Sequence, residues 1–554
     1  MNIFILIFIF GIKKMIGYIK FQNKCTQNVK KAKAVLAKRN SQKHDFIETE
    51  AWETVKQASS ISALREAIFT QKVTIYDVVS YYCHKAYTTG RELNLTADEA
   101  FTEALEEAKE KDLALKKCLQ QGKNPQAELG SLFGIPFSVK DQIYVKGMIS
   151  SMGVPSRADK VVDEDAISIK LLKDQGAIVF VKGNIAEACL TIHTENRIWG
   201  EAKNPRDQNR TTGGSSGGDA ALVSCGASPF AICTDFGGSI RIPALFNGMY
   251  GFLPTPERHS VDGISCYTKY DSVHTKLFRP CIGPIAKSPE DILELMKILD
   301  SSKARAYDKL VPEVPFDQEL YDYTLKKKLR IGVIKNIDDI ITLEKDSLNA
   351  YEDSKEAFIK GGHEIVEFEF TELFQFVINC LDILNNEGLP LVFDEMFEKG
   401  DALNANIQTI LFMYNKMPKF LKSILGFIAG LFLPRTVSAM FKILHPSNTS
   451  QLAKMTKYRY NKIQEIADKF VELKLDVLLT PGYQTPAFEI VEKANHDLPP
   501  FNFMLFNMLH LPTCAVPVPS QNENAMPVGV QISALQWRDE KALAAVKLLS
   551  DLLS

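Results

Sequence analysis

Short apolar runs alternate with helical stretches along most of this sequence, and this alternation constrains the fold more than any other feature. The stretch 165–175, between two of the runs, carries apolar residues at helical spacing. Alternating strands and helices are typical of an α/β fold whose sheet is largely buried, and we predict such a fold here. The predicted strands are LFGIPFSVKD, AIVFVKGN, FAICTD, LRIGVIKN and LDVLLTP, each bounded by Gly, Pro, Asp or Asn.

The bulk properties indicate one large domain and exclude some classes of partner. A chain of 554 residues that is 45% hydrophobic can bury a large core, and no low-complexity linker divides it. We therefore predict a single domain over 45–554. A net charge of −2 offers no basic field for a nucleic-acid backbone, so we expect no nucleic-acid partner. Ten cysteines without a C-x-x-C pair indicate reduced thiols and no zinc site.

The N-terminal segment 1–44 is apolar at its start and basic afterwards. Ile3 to Phe10 is an unbroken apolar run, but about ten residues are too few to span a bilayer, which needs ~20. Lysines and Arg39 follow it, so an inserted segment would leave the rest of the chain on the cytoplasmic side. We predict a membrane-associating segment with a basic linker and a domain that faces the cytoplasm. A disordered leader is the alternative.

A second apolar segment, 412–444, interrupts the α/β pattern. Pro418 and Pro434 bracket a stretch that is again too short to span a bilayer, and Lys416, Lys419 and Arg435 flank it. Apolar residues with cations at their margins suit a helix that lies in a membrane interface. We predict a membrane-binding cap here, with a buried core hairpin as the alternative. Its apolar residues include Phe420, Leu421, Ile424, Leu425, Phe427, Ile428, Leu431 and Phe432.

Two glycine and serine clusters carry the candidate chemistry, and the first is GGSSG at 213–217. It fits the G-x-S-x-G pattern, which would make Ser215 the nucleophile on a turn between a strand and a helix. The preceding NPRDQNRTT is polar and does not predict a strand. No Gly-Lys-Ser/Thr follows the glycines, so a phosphate-binding loop is excluded.

The second cluster, FGGSIR, fits the geometry of a nucleophile better. FAICTD predicts a strand before it and SIRIPALF the start of a helix after it. Successive backbone N–H groups in such a turn can converge on an oxyanion, and glycine permits the close approach. In isolation, a serine after such a glycine turn is more commonly the N-cap of the following helix, which is the alternative for Ser239. The backbone donors in this turn belong to Phe236, Gly237, Gly238 and Ser239.

Lys140 ends the apolar run GIPFSVK and supplies the base that the nearby sequence otherwise lacks. Burial disfavours the charged form of a lysine, and the neutral amine can then accept a proton. Lysine can replace histidine in this role. Without a serine partner, Lys140 would be a surface residue at the end of a strand.

These motifs, taken in order, resemble the amidase-signature family. GIPFSVKD is followed by TTGGSSGGDAALVSCGASPFAICTDFGGSIRIPALFNGMYGFLPT, and the likeness continues through LDVLLTPGYQTPAF and MPVGVQISALQWRDEKAL. The resemblance implies a catalytic domain built on a large twisted mixed β-sheet with helices on both faces. Asp219 stands where the family often has Glu, and Leu253 replaces a lysine. Neither departure touches the implied catalytic residues.

The resemblance also implies the roles of the site residues. Ser239 becomes the nucleophile, Ser215 the bridging serine after a cis peptide, and Lys140 the base. The reaction needs no metal and no cofactor. The backbone of the FGGS turn forms the oxyanion hole, whereas Gly214 and Ser216 support the first loop and Asp235 and Arg241 hold the second.

Within the family the chain looks most like the fatty-acid amide hydrolases. The apolar N-terminus, the segment 412–444 and the apolar residues after VKGNIAEACL carry this likeness. This likeness implies a lipid amide as substrate, such as an N-acylethanolamine or a primary fatty amide. It also implies a membrane surface as partner and permits a homodimer. A soluble small-amide amidase, the A-type subunit of an amidotransferase and a non-catalytic membrane scaffold are the alternatives.

Overall fold

The computed structural model describes residues 26–265, 279–300, 304–334, 342–386, 396, 397, 401, 421, 424, 448–496, 500–520, 522 and 525–554. The apolar run at 3–10 lies outside these residues, as does all of the predicted cap except Leu421 and Ile424. Both of these residues are helical, and their side chains are 37% and 49% exposed.

The strands alternate with helices, as the sequence pattern predicts. In chain order the strands are β1 Thr96–Glu99, β2 Pro136–Lys140, β3 Ile178–Gly183, β4 Glu195–Asn196, β5 Gly200–Glu201, β6 Phe230–Asp235, β7 Tyr250–Leu253, β8 Cys281–Ala286, β9 Arg330–Ile334, β10 Glu364–Phe368, β11 Val477–Pro481, β12 Thr513–Val518 and β13 Val528–Ser533. The five predicted strands correspond to β2, β3, β6, β9 and β11.

Helices precede, separate and follow these strands. They are α1 (26–41), α2 Ala51–Gln57, α3 Ile61–Phe69, α4 Ile75–Lys85, α5 Phe101–Gln120, α6 Pro125–Leu129, α7 Ile167–Asp174, α8 Gly217–Ser224, α9 Arg241–Phe246, α10 Pro289–Leu299, α11 Ala304–Tyr307, α12 Gln318–Lys326, α13 Lys345–Lys360, α14 Leu373–Asn386, α15 Thr449–Glu472, α16 Phe501–Leu509 and α17 Asp539–Leu553. A π-helical turn at Ala86–Gly90 and 3₁₀ turns at Pro155–Arg157, Glu187–Cys189 and Ile490–His496 complete the helical elements.

Eleven strands form one mixed sheet in the order β1-β3-β2-β6-β8-β7-β12-β13-β11-β9-β10. Parallel pairs occur towards the two ends of the sheet. Between them, every neighbouring pair in the run β6-β8-β7-β12-β13-β11 is antiparallel. Phe230 and Ile232 of β6 pack in one apolar cluster, whereas Ala231 and Cys233 pack in another. Because successive strand residues point to opposite faces, both faces of the sheet are covered. The predicted α/β fold is confirmed.

Helix α1 lies within the segment that the sequence indicated as a basic linker. Its Ala32 is fully buried in a cluster with Trp199. Arg39 donates from Nη1 to the carbonyl oxygens of Thr96, at 2.7 Å, and Ala97, at 2.8 Å. These contacts join α1 to strand β1 at the edge of the sheet.

Two further observations concern the length and apolar character of the helices and the state of the cysteine thiols. Among the helices that the structure describes, none combines the length and the apolar character needed to cross a bilayer. The cysteines in the described ranges are all free thiols, in agreement with the absence of paired cysteine motifs in the sequence.

Candidate active site

Lys140 is the last residue of β2, and its side chain is completely buried. Its Nζ lies 2.8 Å from Ser215 Oγ, 2.9 Å from Thr234 Oγ1 and 3.2 Å from the Thr234 carbonyl oxygen. Strand β2 runs parallel to β6, and this pairing brings the ends of the two strands side by side. The alternative of a lysine on the surface is therefore excluded.

Ser215 lies in a buried loop just before α8. The peptide bond between Gly214 and Ser215 is cis, as the resemblance implied. Ser215 and Ser216 are both fully buried, and the Ser215 carbonyl oxygen accepts a hydrogen bond from the Ala186 amide at 3.1 Å. No strand leads directly into this loop within the described range 26–265. The arrangement therefore differs from the strand–turn–helix of a G-x-S-x-G nucleophile elbow.

Ser239 lies in the turn between β6 and α9, and it is half-buried. The N-cap of α9 is Ile240, and no side chain caps this helix. The interpretation of Ser239 as an N-cap is therefore wrong. Its carbonyl oxygen accepts a hydrogen bond from the Ser216 amide at 3.3 Å, which holds the two serine loops against each other.

The FGGS turn has four backbone amides, and one of them has a hydrogen-bond partner among the described residues. The Gly238 amide donates to Asp235 Oδ1 at 2.7 Å. The amides of Phe236, Gly237 and Ser239 make no hydrogen bond with any other residue that the structure describes. Three of the four predicted donors thus have no hydrogen-bond partner among the described residues, whereas the fourth fixes the turn. Gly238 has a φ of +117°, and a Cβ there would lie 2.8 Å from Phe503 Cβ.

Asp235 and Arg241 form a fully buried ion pair beneath this turn, with Arg241 Nε 3.1 Å from Asp235 Oδ2. The same carboxylate also accepts from the Ile240 amide at 3.1 Å. Burial works to raise the pKa of Asp235, but the charge of Arg241 and these hydrogen bonds outweigh it and hold the pKa below its usual value. Asp235 therefore stays ionised and can brace the turn.

The structure adds three residues that the sequence did not single out. Thr234 bonds Lys140, and Gln142 Oε1 accepts from Thr234 Oγ1 at 2.7 Å and from Cys189 Sγ at 2.9 Å. Burial raises the pKa of the Cys189 thiol. All three lie inside or beside quoted motifs, but nothing in their spacing shows that they converge.

One set of side chains in the described ranges is of the metal-ligand type: the ligand atoms of His193, Glu195 and Glu201 lie within 4.8 Å of one another. Lys493 Nζ lies between the carboxylates, 2.7 Å from Glu195 and 2.9 Å from Glu201. His193 Nε2 lies 3.0 Å from Glu201 Oε1, and the other ring nitrogen, Nδ1, lies 2.8 Å from Thr211 Oγ1. The bond with His193 outweighs burial and lowers the pKa of Glu201 to about 2. The ammonium of Lys493 bonds both carboxylates, so we interpret the cluster as an ion-pair network.

Two curated relatives share a large part of this chain. The sequence is 34% identical over 375 residues to the Vitamin D3 hydroxylase-associated protein of Gallus gallus, which covers 67% of this chain and 75% of that protein. It is 28% identical over 462 residues to Fatty-acid amide hydrolase 1 of Sus scrofa, which covers 77% of this chain and 76% of that protein.

A solved structure of a fatty acid amide hydrolase superposes with a TM-score of 0.73 at 20% sequence identity, over 96% of this chain and 95% of that one. At this identity the superposition shows the fold. The family model described as Amidase matches residues 77–543, a range that contains the buried lysine and both serine loops. The chain therefore belongs to the amidase family of amide hydrolases.

Proposed function

We propose that this protein is a serine hydrolase that cleaves lipid amides to a fatty acid and an amine, through an acyl-enzyme on Ser239. The observation that carries the catalytic part is the 2.8 Å contact between Lys140 Nζ and Ser215 Oγ, in full burial beside the Ser239 turn. A lysine in that place, without a carboxylate bonded to its amine in the described chain, is suited to act as a neutral base.

The acylation step moves one proton along the three side chains. Neutral Lys140 accepts the Ser215 proton while Ser215 takes the proton of Ser239, and Ser239 Oγ bonds to the acyl carbon. The carbonyl becomes an oxyanion, which the free amides of the FGGS turn stabilise. When the C–N bond breaks, Lys140 returns the proton through Ser215 to the leaving nitrogen. Water then attacks the acyl-enzyme by the same relay and releases the acid.

Apolar residues around the site support a lipid acyl chain. Met504 lies over the turn, since a Cβ at Gly237 would be 3.0 Å from Met504 Cγ. Cys189 and Leu190 are partly buried against an apolar cluster that contains Met152. An apolar surface of this kind favours a hydrocarbon chain over a small polar amide. The named likeness to a fatty-acid amide hydrolase agrees with this proposal.

A fluorophosphonate probe tests the catalytic roles. We expect the probe to label the wild-type protein at Ser239, with labelling lost in Ser239→Ala and strongly slowed in Lys140→Ala. Peptide mapping of the labelled protein identifies the serine. Labelling that persists in Ser239→Ala but disappears in Ser215→Ala would exchange the two serine roles, and an unlabelled wild type would favour a non-catalytic scaffold.

A panel of amides tests the substrate class. We expect kcat/KM to rise along a series from acetamide and glutamine to oleamide and long-chain N-acylethanolamines, because each added methylene buries apolar surface worth ~0.8 kcal/mol. Hydrolysis is measured by the release of ammonia or of the amine. Activity confined to the short amides would reject the lipid proposal in favour of a small-amide amidase.

A further inference from the structure

Gln142 lies two residues beyond Lys140, and its side chain is only 3% exposed. Its Oε1 receives two donors: the Thr234 hydroxyl at 2.7 Å and the Cys189 thiol at 2.9 Å. Gln142 makes no hydrogen bond with Lys140 in the described chain. Its connection to the amine of Lys140 runs through Thr234.

The direction of the Thr234 hydroxyl proton decides what Lys140 can do. A hydroxyl has one proton, and here that proton is donated to Gln142. Towards Lys140, Thr234 Oγ1 can then only accept, and the Thr234 carbonyl oxygen can also only accept. These two oxygens lie 2.9 Å and 3.2 Å from Nζ.

A neutral lysine amine has two N–H groups and one lone pair. When both N–H groups are donated to Thr234, the lone pair is left for the third neighbour of Nζ, the Ser215 hydroxyl at 2.8 Å. In that arrangement Ser215 donates and Lys140 accepts. This is the direction in which the proposed relay must remove a proton.

We propose that Gln142 is a positioning residue that orients the Thr234 hydroxyl, so that the lone pair of neutral Lys140 faces Ser215. This inference rests on the proposed function. Without the acceptor on Gln142, the Thr234 hydroxyl can turn and donate to Lys140, and it then competes with Ser215 for the lone pair.

Cys189 assists Gln142 by holding its amide oxygen in place. A thiol is a donor to oxygen, and Cys189 Sγ uses the second lone pair of Oε1. The oxygen of the amide, rather than its NH₂ group, is therefore kept towards Thr234. Cys189 has a φ of +61°, a conformation uncommon for a residue with a side chain, and from there its thiol reaches Gln142.

The rate of fluorophosphonate labelling at Ser239 tests the proposal without any choice of substrate. In Gln142→Met, which keeps the length of the side chain but has no amide oxygen, we expect kinact to fall by roughly tenfold, because only part of the effect of a general base is lost. KI should change by less than about twofold, since Gln142 does not act on the bound probe. Ser150→Ala is the matched control, because Ser150 is equally buried and bonds the Asp141 carbonyl oxygen, but makes no bond in this network. Its kinact should equal that of the wild type.

A double-mutant cycle separates positioning from packing. In a Thr234→Val background, where no hydroxyl remains to orient, Gln142→Met should lower kinact by less than about twofold. Gln142→Glu, which keeps an acceptor for Thr234, should retain more of the wild-type kinact than Gln142→Met does. Losses that simply multiply in the double variant, or equal losses in Gln142→Met and Gln142→Glu, would overturn the proposal. Failure of the proposed function gives a different result, since Ser239 of the wild type would then not be labelled.

Discussion

At the scale of single residues, the proposed chemistry depends on the burial of Lys140 and on the few partners of its amine. The sequence indicated a lysine at the end of a buried run, but only the structure supplies its neighbours, Ser215 and Thr234. Every contact of its amine is with an oxygen of a neutral group. No carboxylate is therefore bonded to this amine in the described chain, which supports its proposed role as the base.

The choice between amide and ester substrates tests the proton path from Lys140. An amine leaves only when it is protonated, whereas an alkoxide is a better leaving group. We expect Lys140→Ala to lower kcat/KM for an amide at least tenfold more than for the ester of the same acyl group, roughly in line with the value of acid catalysis. Paired assays on an oleoyl amide and an oleoyl ester measure the ratio. Equal losses would contradict the return of the proton to nitrogen.

Asp219 is a completely buried carboxyl group at the start of α8. A Cβ at Gly183 would lie 2.2 Å from its Cγ, so the end of β3 packs directly on it. Burial raises the pKa of Asp219 to about 7, although Ser138, Lys140 and Lys182 oppose the effect. The folded protein therefore binds this proton up to about pH 7, whereas the unfolded chain releases it near pH 3.9.

The stability of the protein should depend on pH through Asp219. Between about pH 4 and pH 7 the folded state holds more protons at this site than the unfolded state does, so its contribution to stability decreases as pH rises. Asp219→Asn removes this dependence. We expect the free energy of unfolding of the variant, relative to wild type, to improve by roughly 2 kcal/mol from pH 5 to pH 8. Chemical denaturation at both pH values measures it, and parallel curves for the two proteins would contradict the assignment.

At the scale of elements, Arg241 at the start of α9 joins that helix to three other elements around the FGGS turn. Its guanidinium pairs with Asp235 at the end of β6 and bonds Gln531 of β13 at 2.9 Å. It also bonds Asn507 of α16 at 2.6 Å and the Phe503 carbonyl oxygen of the same helix at 3.1 Å. The turn thus receives its shape from elements distant in sequence.

Removal of Arg241 should destabilise the protein strongly. Arg241→Met leaves Asp235 buried with its charge unpaired, which costs about 3–5 kcal/mol in comparable cases. Lys360→Met is the control, because Lys360 and Glu356 form an exposed pair worth at most about 1 kcal/mol. Denaturant unfolding of both variants gives the comparison. A loss in Arg241→Met no larger than that in Lys360→Met would show that the pair is not essential to the fold.

Local patterns predicted some strands and missed others. β2, β3, β6, β9 and β11 were predictable because each is a short apolar run bounded by turn residues. β8 and β12 contain Pro284 and Pro517, and proline within a run argues against a strand. Their pairing with neighbouring strands, through the residues around each proline, overrides this local signal.

At the scale of the whole molecule, the exposed apolar residues bear on where the enzyme meets its substrate. Leu421 and Ile424 are helical, three residues apart and exposed. We propose that the two side chains lie on one helical face, that this face contacts a membrane surface and that a lipid substrate enters from there.

Charge on this face should weaken membrane binding. We expect Leu421→Glu together with Ile424→Glu to move protein from the membrane pellet to the supernatant, because charged side chains are costly in the interface. Leu310→Glu is the control, since Leu310 is 86% exposed but lies elsewhere in the chain. Ile428→Glu tests the rest of the predicted cap. An unchanged partition in the double variant would favour a core hairpin over a membrane cap.

The sequence alone determined the fold class, the positions of the two serine loops and the family, because β-branched runs, glycines and the order of motifs are local signals. It also indicated Lys140 as a candidate base. Only the tertiary structure decided that Thr234 bonds that lysine and connects it to Gln142 and Cys189, and that Asp235 accepts a hydrogen bond from the Gly238 amide. These contacts depend on which strands become neighbours and in what register, and no local pattern in the chain specifies the pairing of β2 with β6.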